Sequence, residues 1–172
     1  MEFFDVVKER HSVRVYTGQS LEAGKLQQIL EAISQAPSAG NLQAYEVYLV
    51  CEAKRKTALA QATHGQEFLA QAAAILVFCA HAARSTGKYG KRGSDLYCLQ
   101  DATIACTFAM LAATALGLST VWVGAFDEEK ARRAIEAPQA HRPVAMLPVG
   151  YPGEAPRGRS RRSLNDLLHV EK

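Results

Sequence analysis

Apolar positions along the chain change period several times, and each change marks an element. Leu26, Ile29, Leu30 and Ile33 recur at the spacing of one helical face. With Ser20 as cap and Pro37 as stop, a helix is expected between them. A shorter helix is expected over residues 3–9, ending in the polar run Arg10-His11-Ser12. Apolar and polar residues alternate from Tyr45 to Cys51, the pattern of a half-buried strand. Residues 75–79 are a continuous apolar run, which suits a strand buried on both faces. Residues 53–63 and 66–72 read as helical, and 119–124 and 143–149 as strands. Ser38-Ala39-Gly40-Asn41 reads as a loop. The segment 87–93, with glycine at every third position among Lys88, Lys91 and Arg92, reads as a flexible basic loop. Ser94 would then cap a long helix to Leu116, closed by Gly117. Asp127 is placed to cap a helix that stops before Pro138, and Gly150-Tyr151-Pro152-Gly153 to form a turn.

The stretch from Ala102 to Phe126 carries no charge and is long enough to cross a bilayer. It is rich in Ala and Thr, however, and Gly117 followed by a β-branched run divides it into a helix and a strand. A buried central helix is apolar all round for the same physical reason, so no membrane association is expected. Met1-Glu2-Phe3-Phe4-Asp5 lacks the features of a secretory signal. No repeat or composition break divides the chain, so a single domain over residues 1–172 is expected.

Apolar residues at 48% and charged residues at 22% are ordinary values and exclude disordered, collagenous and disulfide-framework classes. Cys51, Cys79, Cys98 and Cys106 are widely spaced, which reads as reduced core thiols in a cytoplasmic protein. The net charge of +3 is concentrated at the end of the chain, in Arg157, Arg159, Arg161, Arg162 and Lys172; the first 156 residues hold 15 basic and 15 acidic groups. That balance excludes a general nucleic-acid surface.

Familiar chemistry-bearing motifs are missing. There is no G-x-G-x-x-G after a strand, no G-x-x-x-x-G-K-[ST] and no G-x-S-x-G. His11, His64, His81, His141 and His169 are scattered, with no pair at i, i+4, so no metal site is expected. If the chain is an enzyme, a bound cofactor is expected to carry the reaction.

Three segments could hold one. In an extended Arg10-His11-Ser12-Val13-Arg14, alternate residues Arg10, Ser12 and Arg14 point to one side, which suits an anion. The same run also suits a solvated helix end. The small-residue loop at 37–41 could let a flat heterocycle approach, or simply stop a helix. The tail 157–162 could clamp a phosphate, or be a solvated basic tail.

Taken in order, these segments resemble the nitroreductase family of flavin-dependent oxidoreductases. The resemblance rests on Arg10-His11-Ser12-Val13-Arg14, the run Pro37-Ser38-Ala39-Gly40-Asn41-Leu42-Gln43, the run from Gly117 to Gly124, the run from Pro148 to Glu154, and Arg159-Ser160-Arg161. It implies an α+β fold with a central, mostly antiparallel sheet surrounded by helices, packed as an intertwined homodimer. It implies FMN sites at the dimer interface and NAD(P)H as electron donor in ping-pong transfer to a small-molecule acceptor such as a quinone or nitroaromatic. By similarity, Arg10, His11 and Ser12 would bind the phosphate and ribityl end, with Arg159 and Arg161 on the phosphate. Arg14 would lie at the flavin pyrimidine ring and stabilise the reduced cofactor. Pro37, Ser38, Ala39 and Asn41 would come from the other subunit, and Gly124 and Ala125 would offer backbone contacts to the ring. No side chain is assigned as catalytic, because the flavin would carry the chemistry.

Two departures matter. Ala44-Tyr45 stands where the family commonly has a Pro-aromatic pair, and the loop at 84–93 replaces a longer helical insertion that commonly shapes the acceptor site. The acceptor is therefore not carried over. A specialised branch performing reductive dehalogenation or flavin-consuming chemistry, and a non-catalytic anion-binding module with a basic tail, remain as alternatives.

Overall fold

The apolar run at 75–79 becomes one of the two inner strands of the sheet because both of its faces can be covered. The computed structural model describes residues 1–171. Its four strands are β1 (Tyr45–Val50), β2 (Ala74–Ala80), β3 (Ser119–Thr120) and β4 (Arg142–Gly150), in the order β1-β2-β4-β3 with every neighbour antiparallel. All residues of β2 are buried. On one face, Leu76, Phe78, Leu147 and Val149 pack against α2 (Ala23–Ser34) and α5 (Cys98–Ala115). On the other, Ile75, Val77 and Met146 pack against α3 (Ala53–Ala62) and α6 (Glu128–Ala134). Helices thus cover both faces, the α+β arrangement expected from the sequence.

The strand expected over 119–124 pairs only at Ser119–Thr120, with an isolated bridge further on between Val123 and Met146. Thr120 lies opposite Val149, so the same register places Val121 opposite Pro148. Proline has no N–H to give at that rung, and the ladder breaks there. The end of α5 matches its sequence signal: Gly117 has φ +73°, its N–H donates to Thr114 O, and the Leu118 N–H donates to Ala113 O at 2.9 Å. This pair of bonds is a Schellman closure. Asp127 caps α6 through the Lys130 N–H.

Four expectations are corrected. The segment 87–93 is not a flexible loop: α4 (Ala82–Arg92) runs through it and continues by a wide turn at Gly93–Tyr97 into α5. A Cβ at Gly93 would stand 2.5 Å from Ser85 O, so glycine lets the turn close on α4, while Gly90, at φ 53° and ψ −140°, supplies the kink. Ser94 caps nothing; its hydroxyl donates to Lys91 O. Ser20 is likewise not the cap of α2, whose cap position is Glu22. The Glu22 carboxylate accepts the Tyr151 hydroxyl, which lowers its pKa and ties the helix start to the turn after β4. Finally, Cys51 is exposed, whereas Cys79, Cys98 and Cys106 are buried as expected. Val50 points inward, and alternation turns the next side chain out.

By length and composition the helical stretch Ala82–Ala115 could cross a membrane, but 44% of its most apolar window is buried in the fold. Ala105, Cys106, Ala109 and Ala113 belong to the core under the sheet. Thr103 and Thr107 are exposed, with Ile104, Phe108 and Leu111 half-buried beside them.

Candidate functional site

Between α1 (Phe3–Glu9) and α2 the chain is extended and braced on both sides. Val13 and Tyr16 point inward and are buried. The Val13 N–H donates to Thr120 O at 3.1 Å, and the Tyr16 hydroxyl donates to Val13 O at 3.0 Å. Burial pushes the Tyr16 phenol pKa up, so it stays a neutral donor. From the other side, the Gly153 N–H donates to Val15 O at 2.8 Å, and the Arg14 N–H donates to Glu154 Oε1 at 2.8 Å. A Cβ at Gly153 would meet Val15 Cγ1 at 2.9 Å, which explains glycine at this crossing.

With Val13 pointing inward, alternation sends Arg10, Ser12 and Arg14 outward together. They line a cavity of about 440 Å³ whose far wall is Glu154, Arg157, Arg159 and Arg161. His11 also lines it, with Nδ1 2.8 Å from Glu9 O. The electrostatics are unusual for this chain. Arg55, Arg84, Arg132, Arg133 and Arg142 each hold a glutamate. Among the described residues, none of the five arginines facing the cavity is in an ion pair. Glu154 gives an oxygen to a backbone N–H. Five permanent charges around one hollow leave room for a polyanionic group with bidentate acceptors.

The other sequence candidates lie elsewhere on the chain. Pro37, Ser38, Ala39 and Asn41 do not line this cavity, and neither do Gly124 and Ala125. Gly40, Asn41 and Gln43 have φ of 57°, 58° and 48°, a tight left-handed path that needs external support. Asp101 supplies it: its carboxylate accepts the Ala39 N–H at 2.9 Å and the Ala44 N–H at 3.2 Å, while the residue is 1% exposed. Gly124 and Ala125 are exposed, and Ala125 O accepts Gln66 Nε2 at 3.3 Å.

Sequence reasoning missed Asp101 as a support and Glu154 as a brace. A signal for the first existed: a lone carboxylate at the border of an uncharged helix must find donors when buried. Glu154 had no such signal, because its partner is a backbone N–H 140 residues away.

Comparison with known proteins adds a family. A model described as "Nitroreductase family" matches residues 7–151. The chain is 29% identical over 184 residues to a Bacillus subtilis protein named FMN reductase, covering 99% of this chain and 74% of that one. It is 27% identical over 173 residues to a Thermus thermophilus NADH dehydrogenase, covering 85% and 84% of the two chains. Among solved structures, a nitroreductase family protein from Clostridium difficile superposes with a TM-score of 0.88 at 26% identity, over 100% of this chain and 99% of that one.

Proposed function

The chain belongs to the nitroreductase family, and from that premise we propose that it is an FMN-dependent NAD(P)H oxidoreductase acting by ping-pong transfer on quinones, nitroaromatics or related conjugated acceptors. One observation carries this reading furthest: five arginines that, among the described residues, are in no ion pair converge on a single cavity with a serine hydroxyl. That donor set fits the phosphate and ribityl end of FMN. When bound, FMN supplies reversible acceptance of a hydride from NAD(P)H and release of electrons to the acceptor.

The chain's own residues have separable tasks in this proposal. Arg10, Arg159 and Arg161 hold the phosphate, and Ser12 and His11 hydrogen-bond beside it. Arg14, whose backbone N–H is held by Glu154, would set its guanidinium beside the part of FMN that gains negative charge on reduction. Pro37, Ser38, Ala39 and Asn41 reach the site of a second copy, and Gly124 and Ala125 offer backbone to the ring. The exposed side chains of Phe3, Phe4 and Val7 at one end of the chain, and of Leu164, Leu167 and Leu168 at the other, support an intertwined homodimer. The protein functions as one domain over residues 1–172, in the cytoplasm.

The direct test is the absorption spectrum of the purified protein, followed by anaerobic addition of NADH or NADPH. A flavin spectrum that bleaches with either donor is expected. A colourless protein that does not take up added FMN would overturn the reading. Retained FMN that neither donor reduces would leave only an anion-binding role.

A second measurement separates the cations. Arg14→Gln should lower the flavin midpoint potential, by about 30 mV for each 1.4 kcal/mol of preference for the reduced cofactor that is lost. Arg10→Gln should weaken both redox states alike and leave the potential in place, because the phosphate charge does not change on reduction. Spectroelectrochemical titration of the two variants distinguishes them, and equal shifts would remove the division of roles.

A further inference from the structure

The histidines are scattered in sequence, but the sheet gathers two of them. Ala80 lies opposite Tyr45 on one side and Arg142 on the other. His81 follows Ala80, His141 precedes Arg142, and Glu46 follows Tyr45, so three separated residues meet at one end of the sheet. One donor atom from each of Glu46, His81 and His141 lies within 4.8 Å of the others. His81 Nδ1 is 2.9 Å from Glu46 Oε1, and the His81 and His141 rings are 4.7 Å apart between centroids. The Tyr48 hydroxyl is 2.6 Å from His141 Nδ1. With Nδ1–H donating to that hydroxyl, Nε2 keeps its lone pair free.

From this juxtaposition we infer that Glu46, His81 and His141 form a binding site for a divalent first-row transition metal ion, with Zn²⁺ the best match, separate from the arginine-lined cavity. The chemistry is favourable at each position. Two imidazoles and a carboxylate are the donor types that Zn²⁺ takes in three-residue sites, leaving a fourth position for water. Tyr48 would act as the outer partner that fixes the His141 ring and tautomer. Donors around a tetrahedral ion with bonds of 2.0–2.1 Å stand about 3.3 Å apart. The Glu46–His81 pair is already inside that span, and no pair needs to close by more than about 1.5 Å. The His81 and Glu46 side chains are 21% and 33% exposed, so an ion can enter and the rings can adjust. The cavity residues meet the other end of β4, near Thr120 and Gly153, about 27 Å away along eight strand steps.

One group opposes the ion. Arg84 NH1 stands 3.4 Å from Glu46 Oε1 and is itself exposed, so a cation already occupies part of the carboxylate's field. An ion at this site competes with Arg84, whereas a merely hydrogen-bonded cluster gains nothing when Arg84 is removed.

The experiment is calorimetric titration of the flavin-loaded protein with ZnCl₂, in wild type and in a Cys51→Ser background that removes the exposed thiol. One Zn²⁺ per chain is expected in both. Affinity should fall at least tenfold in His81→Gln and in His141→Gln, and should rise in Arg84→Gln. The wild-type melting temperature should increase with Zn²⁺ concentration. Co²⁺ added to wild type should show visible absorption of a four-coordinate site without a thiolate charge-transfer band, a readout that does not depend on any histidine variant folding. Loss of binding in Cys51→Ser, unchanged affinity in the histidine variants, weaker binding in Arg84→Gln, or a thiolate band would each overturn the site.

Discussion

Replacing Arg159 and Arg161 together by alanine should weaken FMN binding by two powers of ten or more. Each guanidinium facing the cavity can give charge-assisted hydrogen bonds of roughly 1.5–3 kcal/mol, about one to two powers of ten in affinity apiece. The two lie two residues apart and share one hollow, so their effects will couple rather than add strictly. Arg162→Ala is the control. Its guanidinium donates to Asp166 O and does not line the cavity, so FMN affinity should hardly change. Fluorescence titration of apoprotein with FMN measures all three. If the double variant binds as wild type does, the tail is a solvated surface and the phosphate lies elsewhere.

Asp101→Ala should be the most destabilising single change among the polar residues. It removes the acceptor of two backbone N–H groups, at Ala39 and Ala44, in a place that water does not reach. Charge-assisted bonds are worth about 1.5–3 kcal/mol each, and part is returned because the buried charge also disappears. A net loss of roughly 2–4 kcal/mol lowers the melting temperature of a chain this size by about 5–15 °C. Asp101→Asn should fall between, since the amide keeps one acceptor but points N–H at N–H. The left-handed residues at 40, 41 and 43 would relax once released, so FMN affinity should fall in the same variants if this loop lines a flavin site. A thermal melt within 2 °C of wild type would remove Asp101 as the support of the loop.

Much of this molecule can be read in one dimension, and the parts that cannot share a cause. The run at 75–79 needs cover on both faces wherever it lies, so its strand is legible without knowing its neighbours. The alternation of Arg10, Ser12 and Arg14 is legible for the same reason: burying Val13 fixes where the others point. The segment 87–93 misleads because its glycines look like loop punctuation. Gly93 is instead set by the Ser85 carbonyl that it must approach. Ser20 misleads because a good cap residue loses to Glu22, whose partner Tyr151 lies 129 residues away. The cluster of Glu46, His81 and His141 is invisible until strand order and register are known. Local patterns disclose what a residue needs, whereas distant register discloses what it meets.

The cavity is built from opposite ends of the chain. The segment at 10–16 is held by Thr120 and by residues 151–154, and the far wall comes later still. Arg14 and the Glu154 that braces it are 140 residues apart. At a synthesis rate of 5–20 residues per second, the early arginines wait roughly 7–28 s for their brace to be made. By about the middle of that time α2, α3 and the β1–β2 pair have their sequences complete, while Val13 and Tyr16 still lack the later segments that hold them. The arginine-lined wall is therefore among the first parts translated and the last assembled.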